Sequence, residues 1–265
     1  MVSSATIVSM ILSFIIAVGT PIFLLIFFKK RYKISLIVLL VGMVTFFLFA
    51  NVLEGLLHSY ILVWNKSTKQ FFENPWLFML YGGLMAGIFE ETGRYIMMKF
   101  ALKKYRKWKD GLAFGLGHGG MEAILLVGIN SVMMIVFAFM INNGTFDSLL
   151  INEQAQEALS PIKEQLTSGA SFIILLGGIE RLSALAIHLG LSILVLYGIR
   201  CRKIIFLFLA ILIHAYFDFP AALYQAGVIK NIYVVELLIA MIAAGSIYWV
   251  VKSRKLFTDD KRAAD

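Results

Sequence analysis

The stretch WLFMLYGGLMAGIFEETGRYIMMKF (76–100) decides the class of this chain. It has the length and apolar content of a membrane span, yet its second half carries Glu90, Glu91 and Arg94. A hydrocarbon core about 30 Å thick takes roughly 20 residues of helix. Outward from this stretch, six more apolar segments meet that requirement: 5–28, 34–62, 111–142, 169–199, 204–225 and 231–251. The chain of 265 residues is 60% hydrophobic and 15% charged, the balance of an integral membrane protein rather than of a soluble core. Backbone groups in lipid must be satisfied internally, and long continuous apolar runs select helices over an alternating barrel. The expectation is an all-α integral membrane protein, a polytopic bundle of about seven transmembrane helices forming a single membrane domain over 1–265.

The net charge of +8 does not indicate nucleic acid. Of the 24 lysines and arginines, 18 fall in one alternate set of connections, namely 29–33, 99–110, 200–203 and the tail. The positive-inside rule then places the N-terminus outside and the C-terminus in the cytoplasm, with the basic residues facing lipid headgroups. On this topology 143–168 is an extracellular loop, expected to hold a short surface helix broken at Pro161. The single cysteine, Cys201, excludes an internal disulfide and a CxxC metal site. The opening MVSSATIV lacks a basic n-region and reads as the start of a retained span.

Ionisable residues at membrane depth are costly and face a bundle interior. They are Glu90, Glu91, Arg94, His118, Glu122, Glu180, Arg181, His188, His214 and Asp218. Glu90 and Arg94 are four residues apart, as are His118 and Glu122, and His214 and Asp218, and Glu91 and Arg94 are three apart, so each pair shares a helix face. Arg181 and His188, seven apart, also share one. At 1.5 Å per residue, Glu90, His118, His188 and His214 lie about 10–16 Å from the cytosolic ends of four helices. A polar cavity open to the cytoplasm follows. Five carboxylates against two arginines require protonated carboxyls, charged histidines or a bound cation. Paired adjacent glutamates beside histidines are also what general acid–base chemistry uses. Buried ion pairing alone is the competing reading. Glu54 and His58, near the outer end of their span, read as an interfacial pair. The glycines of GLGHGGME (115–122) and LLGGIE (175–180) serve either close helix packing or close substrate approach.

Three motifs follow in order: Glu90-Glu91 with Arg94, then FGLGH (114–118), then HAYFD (214–218). This order resembles the CAAX-protease and bacteriocin-processing (CPBP, Rce-type or ABI) superfamily of glutamic-type intramembrane proteases, and within it the bacterial YhfC family. The resemblance covers 76–225 as catalytic-core helices. It implies that Glu90 activates the attacking water, that His118 helps hold the water, and that His214 and Asp218 stabilise the oxyanion. Glu91 and Arg94 would orient and neutralise Glu90, with Glu122, His188, Glu180 and Arg181 as supporting residues. It further implies a bacterial plasma-membrane protease with a membrane-associated peptide or protein substrate and no cofactor. Two departures stand out. The arginine comes one residue earlier than in the family's EExxxR, and Glu122 and His188 are additional, the extra buried histidine being similar to the scaffold-type Aph subunit of gamma-secretase. The alternatives are a zinc held by His118, His188 and His214 with Glu90, although no helix carries HExxH, or a non-catalytic scaffold or immunity protein, or an ion-coupled transporter.

Overall fold

Asparagines open several of the helices. In the computed structural model, which describes residues 1–169 and 171–258, Asn74 Oδ1 accepts from Trp76 N and Leu77 N, with Pro75 at the first helical position. Asn65, Asn152 and Asn231 cap their helices in the same way. Each satisfies backbone donors that a helix start leaves without a partner. Among the described residues the fold is helical, without strands. The order is α1 (Ser4–Tyr32), α2 (Leu36–Trp64), α3 (Lys66–Phe71), α4 (Pro75–Ile96), α5 (Trp108–Asn142), α6 (Glu153–Thr167), α7 (Ser171–Arg200), α8 (Ile205–Gln225) and α9 (Ile232–Phe257). Wider π-helical turns interrupt α2 at Phe46–Glu54 and Ser59–Trp64, and α5 at Ile124–Ile129. A further one, Met97–Ala101, ends α4. Arg106 closes that end by donating to the carbonyls of Met98, Leu102 and Tyr105, a cationic cap on carbonyls the helix itself leaves open.

Six of these helices, α1, α2, α5, α7, α8 and α9, are long and apolar enough to cross a membrane. The expected seventh, α4, has 22 residues but is less apolar because it carries Glu90, Glu91 and Arg94. The surface helix expected in 143–168 is α6, and it runs through Pro161 rather than breaking there.

The chain divides into two compact units. The first comprises Met1–Phe23 and Glu122–Leu182. It packs Val2, Met10, Ala138 and Leu166 together, and Ser13 Oγ donates to the carbonyl of Ile174 at 2.8 Å. The second comprises Leu24–Met121 and the chain from Ser183 onward. Its core centres on Leu112, Phe114, Ile187, Ile193, Leu196 and Ile239, all at most 2% exposed.

Glycine brings the helices of the second unit close enough for short polar side chains to meet. A Cβ at Gly117 would lie 2.0 Å from the carbonyl oxygen of Leu39, and one at Gly42 would lie 2.3 Å from that of Phe114. Helices α2 and α5 therefore meet backbone to backbone. Gly83 and Gly87 do the same for α4 against α8, at 2.7 Å from Ala215 O and 2.6 Å from Ile211 O. The neighbour at Gly117 is main chain, so it cannot swing aside. Gly117→Ala is expected to destabilise by about 1–3 kcal/mol through overpacking, read as a fall in Tm of the detergent-purified protein. Gly82→Ala, where a Cβ meets nothing within 4 Å, is expected to leave Tm unchanged or raise it.

Candidate active site

The second unit gathers the ionisable residues of α4, α5, α7 and α8 into one buried cluster. Glu90 and His118 are joined at 2.8 Å through Oε2 and Nε2. Glu91 and Arg94, three apart on α4, form an ion pair in which Nη1 donates to both carboxylate oxygens at 2.8 Å. Both side chains are fully buried. Arg94 Nη2 then donates to Nδ1 of His188 at 3.0 Å; a guanidinium has no lone pair to offer, so Nδ1 is the acceptor. His214 Nδ1 meets Glu91 Oε1 at 2.8 Å, while its Nε2 lies 3.4 Å from Asp218 Oδ2 and 3.9 Å from Glu90 Oε2. The three rings pack in series, with centroids 4.9 Å apart for His118–His188 and 5.4 Å for His188–His214. Phe46 and Phe114 wall the His118 ring.

Glycine explains this proximity too. Gly115 and Gly119 flank His118 and lie against His188, with a Cβ at either position meeting His188 O at 2.8 Å or His188 Cβ at 3.0 Å. Close helix packing is therefore one role of Gly115, Gly117 and Gly119. The other sequence-derived residues go elsewhere. Glu122, Glu180 and Arg181 belong to the first unit, where Arg181 pairs with Glu122 at 2.7 Å and with Glu180. The sequence reading missed one feature. Glu54 is buried, and His58 bridges it to Tyr81 of α4. The only signal for this in the sequence was the i,i+4 spacing of Glu54 and His58.

Ligand atoms of Glu90, His118 and His188 all lie within 4.8 Å of one another, and all three residues are buried. A carboxylate and two imidazoles from three helices form a donor set suited to a divalent metal. The charge agrees, since Glu90, Glu91 and Asp218 accompany a single guanidinium, Arg94, in this cluster. The residues present therefore fit a metal ion.

Comparison with known proteins bears on the same point. The model of the family described as YhfC intramembrane metalloprotease matches residues 14–239. The chain belongs to the YhfC family. It is also 51% identical over 257 residues to the membrane protein YhfC of Bacillus subtilis (strain 168), covering 97% of this chain and 100% of the relative. No solved structure matches it. Membership and the six apolar helices make this YhfC relative a multi-pass membrane protein. Two expectations are corrected. The YhfC family is one of metalloproteases, so a purely glutamic mechanism, in which Glu90 activates water without a metal, does not hold. The expectation of no cofactor falls with it. The physical reason lies in the cluster: Glu90 converges with two imidazoles on a common point, the geometry of a ligand rather than of an isolated base.

Proposed function

We propose that this YhfC-family chain is a metal-dependent endopeptidase that cleaves a peptide bond of a membrane-associated protein at the level of the bilayer. The observation that carries the reading is the buried convergence of Glu90, His118 and His188, with His214 directly beside it. Glu90, His118 and His188 would hold the metal, and the donor set favours zinc. A bound zinc supplies Lewis-acid polarisation of a carbonyl and activation of water.

The remaining steps belong to the protein's own groups. His214 is oriented by Glu91 through Nδ1 and turns Nε2 toward Glu90 and Asp218. This is the arrangement of a base held by a carboxylate. It takes the proton that the attacking water loses and delivers it to the leaving amine. Asp218, 28% exposed at its side chain, steadies the charged ring. Arg94 fixes Glu91 and His188 at once, so neither the Glu91 carboxylate nor the His188 ring can turn away. Apolar walls at Phe46 and Phe114 exclude bulk water, which strengthens each of these contacts. In the same reading α4 crosses the membrane as a seventh span, with the N-terminus outside, the C-terminus in the cytoplasm and 143–168 extracellular, in a bacterial plasma membrane. A wider kinship with the CPBP superfamily rests on motif order alone.

The test uses purified protein in phospholipid vesicles with a single-span model substrate. A tight zinc chelator is expected to abolish cleavage, and added zinc is expected to restore it. His214→Gln is expected to cut turnover by about 100-fold or more while keeping the metal. Cleavage indifferent to chelator and to His214→Gln would refute the reading.

A further inference from the structure

Helices α7, α8 and α9 bound a cavity of about 640 Å³ that has no part in the chemistry above. His214 is engaged with Glu91 of α4 and does not line it. Leu209, Leu212 and Tyr216 line it instead, from an exposed face of α8. No charged residue lines the cavity, and only Tyr216, Ser246 and Trp249 bring a polar side-chain atom to it. Along α8 it extends from Phe206 to Tyr216 and along α9 from Trp249 back to Ile242. Ten residues of helix rise about 15 Å, half of a hydrocarbon core about 30 Å thick. The cavity therefore has the depth of one leaflet. Its volume over that depth gives a cross-section of about 40 Å², half or less of what a helix about 10–12 Å across occupies. An extended hydrocarbon chain fits it, and a further helix does not. The charge at one end is equally specific. Phe206 follows Lys203 by three residues, and Trp249 precedes Lys252 by three. Arg202, Lys203 and Lys252 are exposed there, whereas Arg200 lies over the ring of Phe257 and Arg254 over those of Tyr32 and Trp108. Neither 182–217 nor 237–258 contains an acid to oppose these cations. At its other end α8 joins α9 through a connection with a single cation, Lys230.

We propose that this cavity is a binding site for an anionic phospholipid, with one acyl chain seated between α8 and α9 and the headgroup held by Arg202, Lys203 and Lys252. A chain in the cavity and a chain in the surrounding bilayer are both shielded from water, so burial alone selects no lipid. Selection comes from the headgroup, because basic residues at the membrane surface attract anionic lipids. The cavity adds position: a chain that fills it fixes its headgroup beside the three cations. Gly245 keeps the space open. It lines the cavity, and a Cβ there would meet nothing within 4 Å. The site stands whether or not the buried cluster is a peptidase centre.

Trp249 lines the cavity and reports on its occupant. The full-length protein is placed in phosphatidylcholine nanodiscs holding a small fraction of either phosphatidylglycerol or phosphatidylcholine with brominated acyl chains. The Trp249 signal is the fluorescence that Trp249→Phe removes. Brominated phosphatidylglycerol is expected to quench it at about tenfold or more lower mole fraction than brominated phosphatidylcholine, since each cation near the surface favours an anionic lipid about fivefold. Gly245→Leu, which fills the cavity, and Arg202→Gln with Lys203→Gln, which removes two of the cations, are each expected to abolish most of that preference, each read against its own Trp249→Phe version. The second variant changes only exposed side chains, so it decides the matter if Gly245→Leu does not fold. Equal quenching by the two lipids, or a preference unchanged in the folded variants, overturns the proposal. Shielding of Trp249 from both lipids, the result if a second copy of the chain or another helix covers this face, overturns it as well.

Discussion

Purified without chelator, the protein is expected to carry about one divalent metal ion per chain, and His118→Ala is expected to carry almost none at the same metal concentration. The reason is the small number of ligands. Among the described residues, Glu90, His118 and His188 are the three buried side chains whose ligand atoms converge, and a three-ligand site has no redundancy. Disturbing a residue that merely supports a ligand lowers metal affinity about 10–100-fold, so removing a ligand outright lowers it further. Glu90→Gln keeps the size of the side chain but removes a negative charge from the donor set, and it is expected to lose metal nearly as fully. His58→Gln serves as the control. His58 is bonded to Glu54 and Tyr81, and its replacement is expected to leave metal content unchanged. Elemental analysis of the purified proteins makes the measurement. Full occupancy in both His118→Ala and Glu90→Gln would show that the metal sits elsewhere.

The helices were legible in the sequence because lipid imposes a simple rule. Each of the seven apolar segments corresponds to one long helix, and the ends agree to within a few residues. Which residues meet inside the bundle was less legible. Helical spacing correctly set Glu91 beside Arg94, since residues three apart share a face. It also offered Glu122 to His118 as a partner, but Glu122 is taken by Arg181 and His118 by Glu90 on another helix. The candidate metal site was legible only as an alternative reading, with His214 among its ligands, and no local motif marked it. The residues that would hold the metal come one each from α4, α5 and α7, so no short motif contains two of them, and the absence of HExxH says nothing about such a site. The early position of Arg94, a departure from the resembling family's spacing, has a structural use. It places the guanidinium over Glu91 and within reach of His188. Burial of Glu54 was the other blind spot. An acid near the end of a span reads as interfacial until the neighbouring helix is seen to bring Tyr81 to it.

Arg94→Met is expected to destabilise the protein more than any other single change in the cluster, by about 3–5 kcal/mol. Polar contacts between membrane helices average under about 1 kcal/mol, because the unfolded chain in the bilayer finds other partners. That average does not govern here, because Arg94 and Glu91 are both fully buried. Loss of the guanidinium leaves Glu91 with His214 alone and withdraws the donor from His188 Nδ1. An uncompensated buried carboxylate is the more expensive of these two consequences. The double replacement Glu91→Leu with Arg94→Met discriminates between causes. If the deficit of the single variant is the stranded charge, removing the carboxylate as well recovers a large part of it, since an apolar pair of similar volume is close to neutral in place of a buried ion pair. Recovery remains incomplete, because His188 has lost the Arg94 donor and His214 the Glu91 acceptor. Equilibrium unfolding of the four proteins in the cycle gives the coupling energy directly. A single-variant loss below about 1 kcal/mol, or a double variant no better than Arg94→Met, would show that the pair is not what holds α4 in place against α7 and α8.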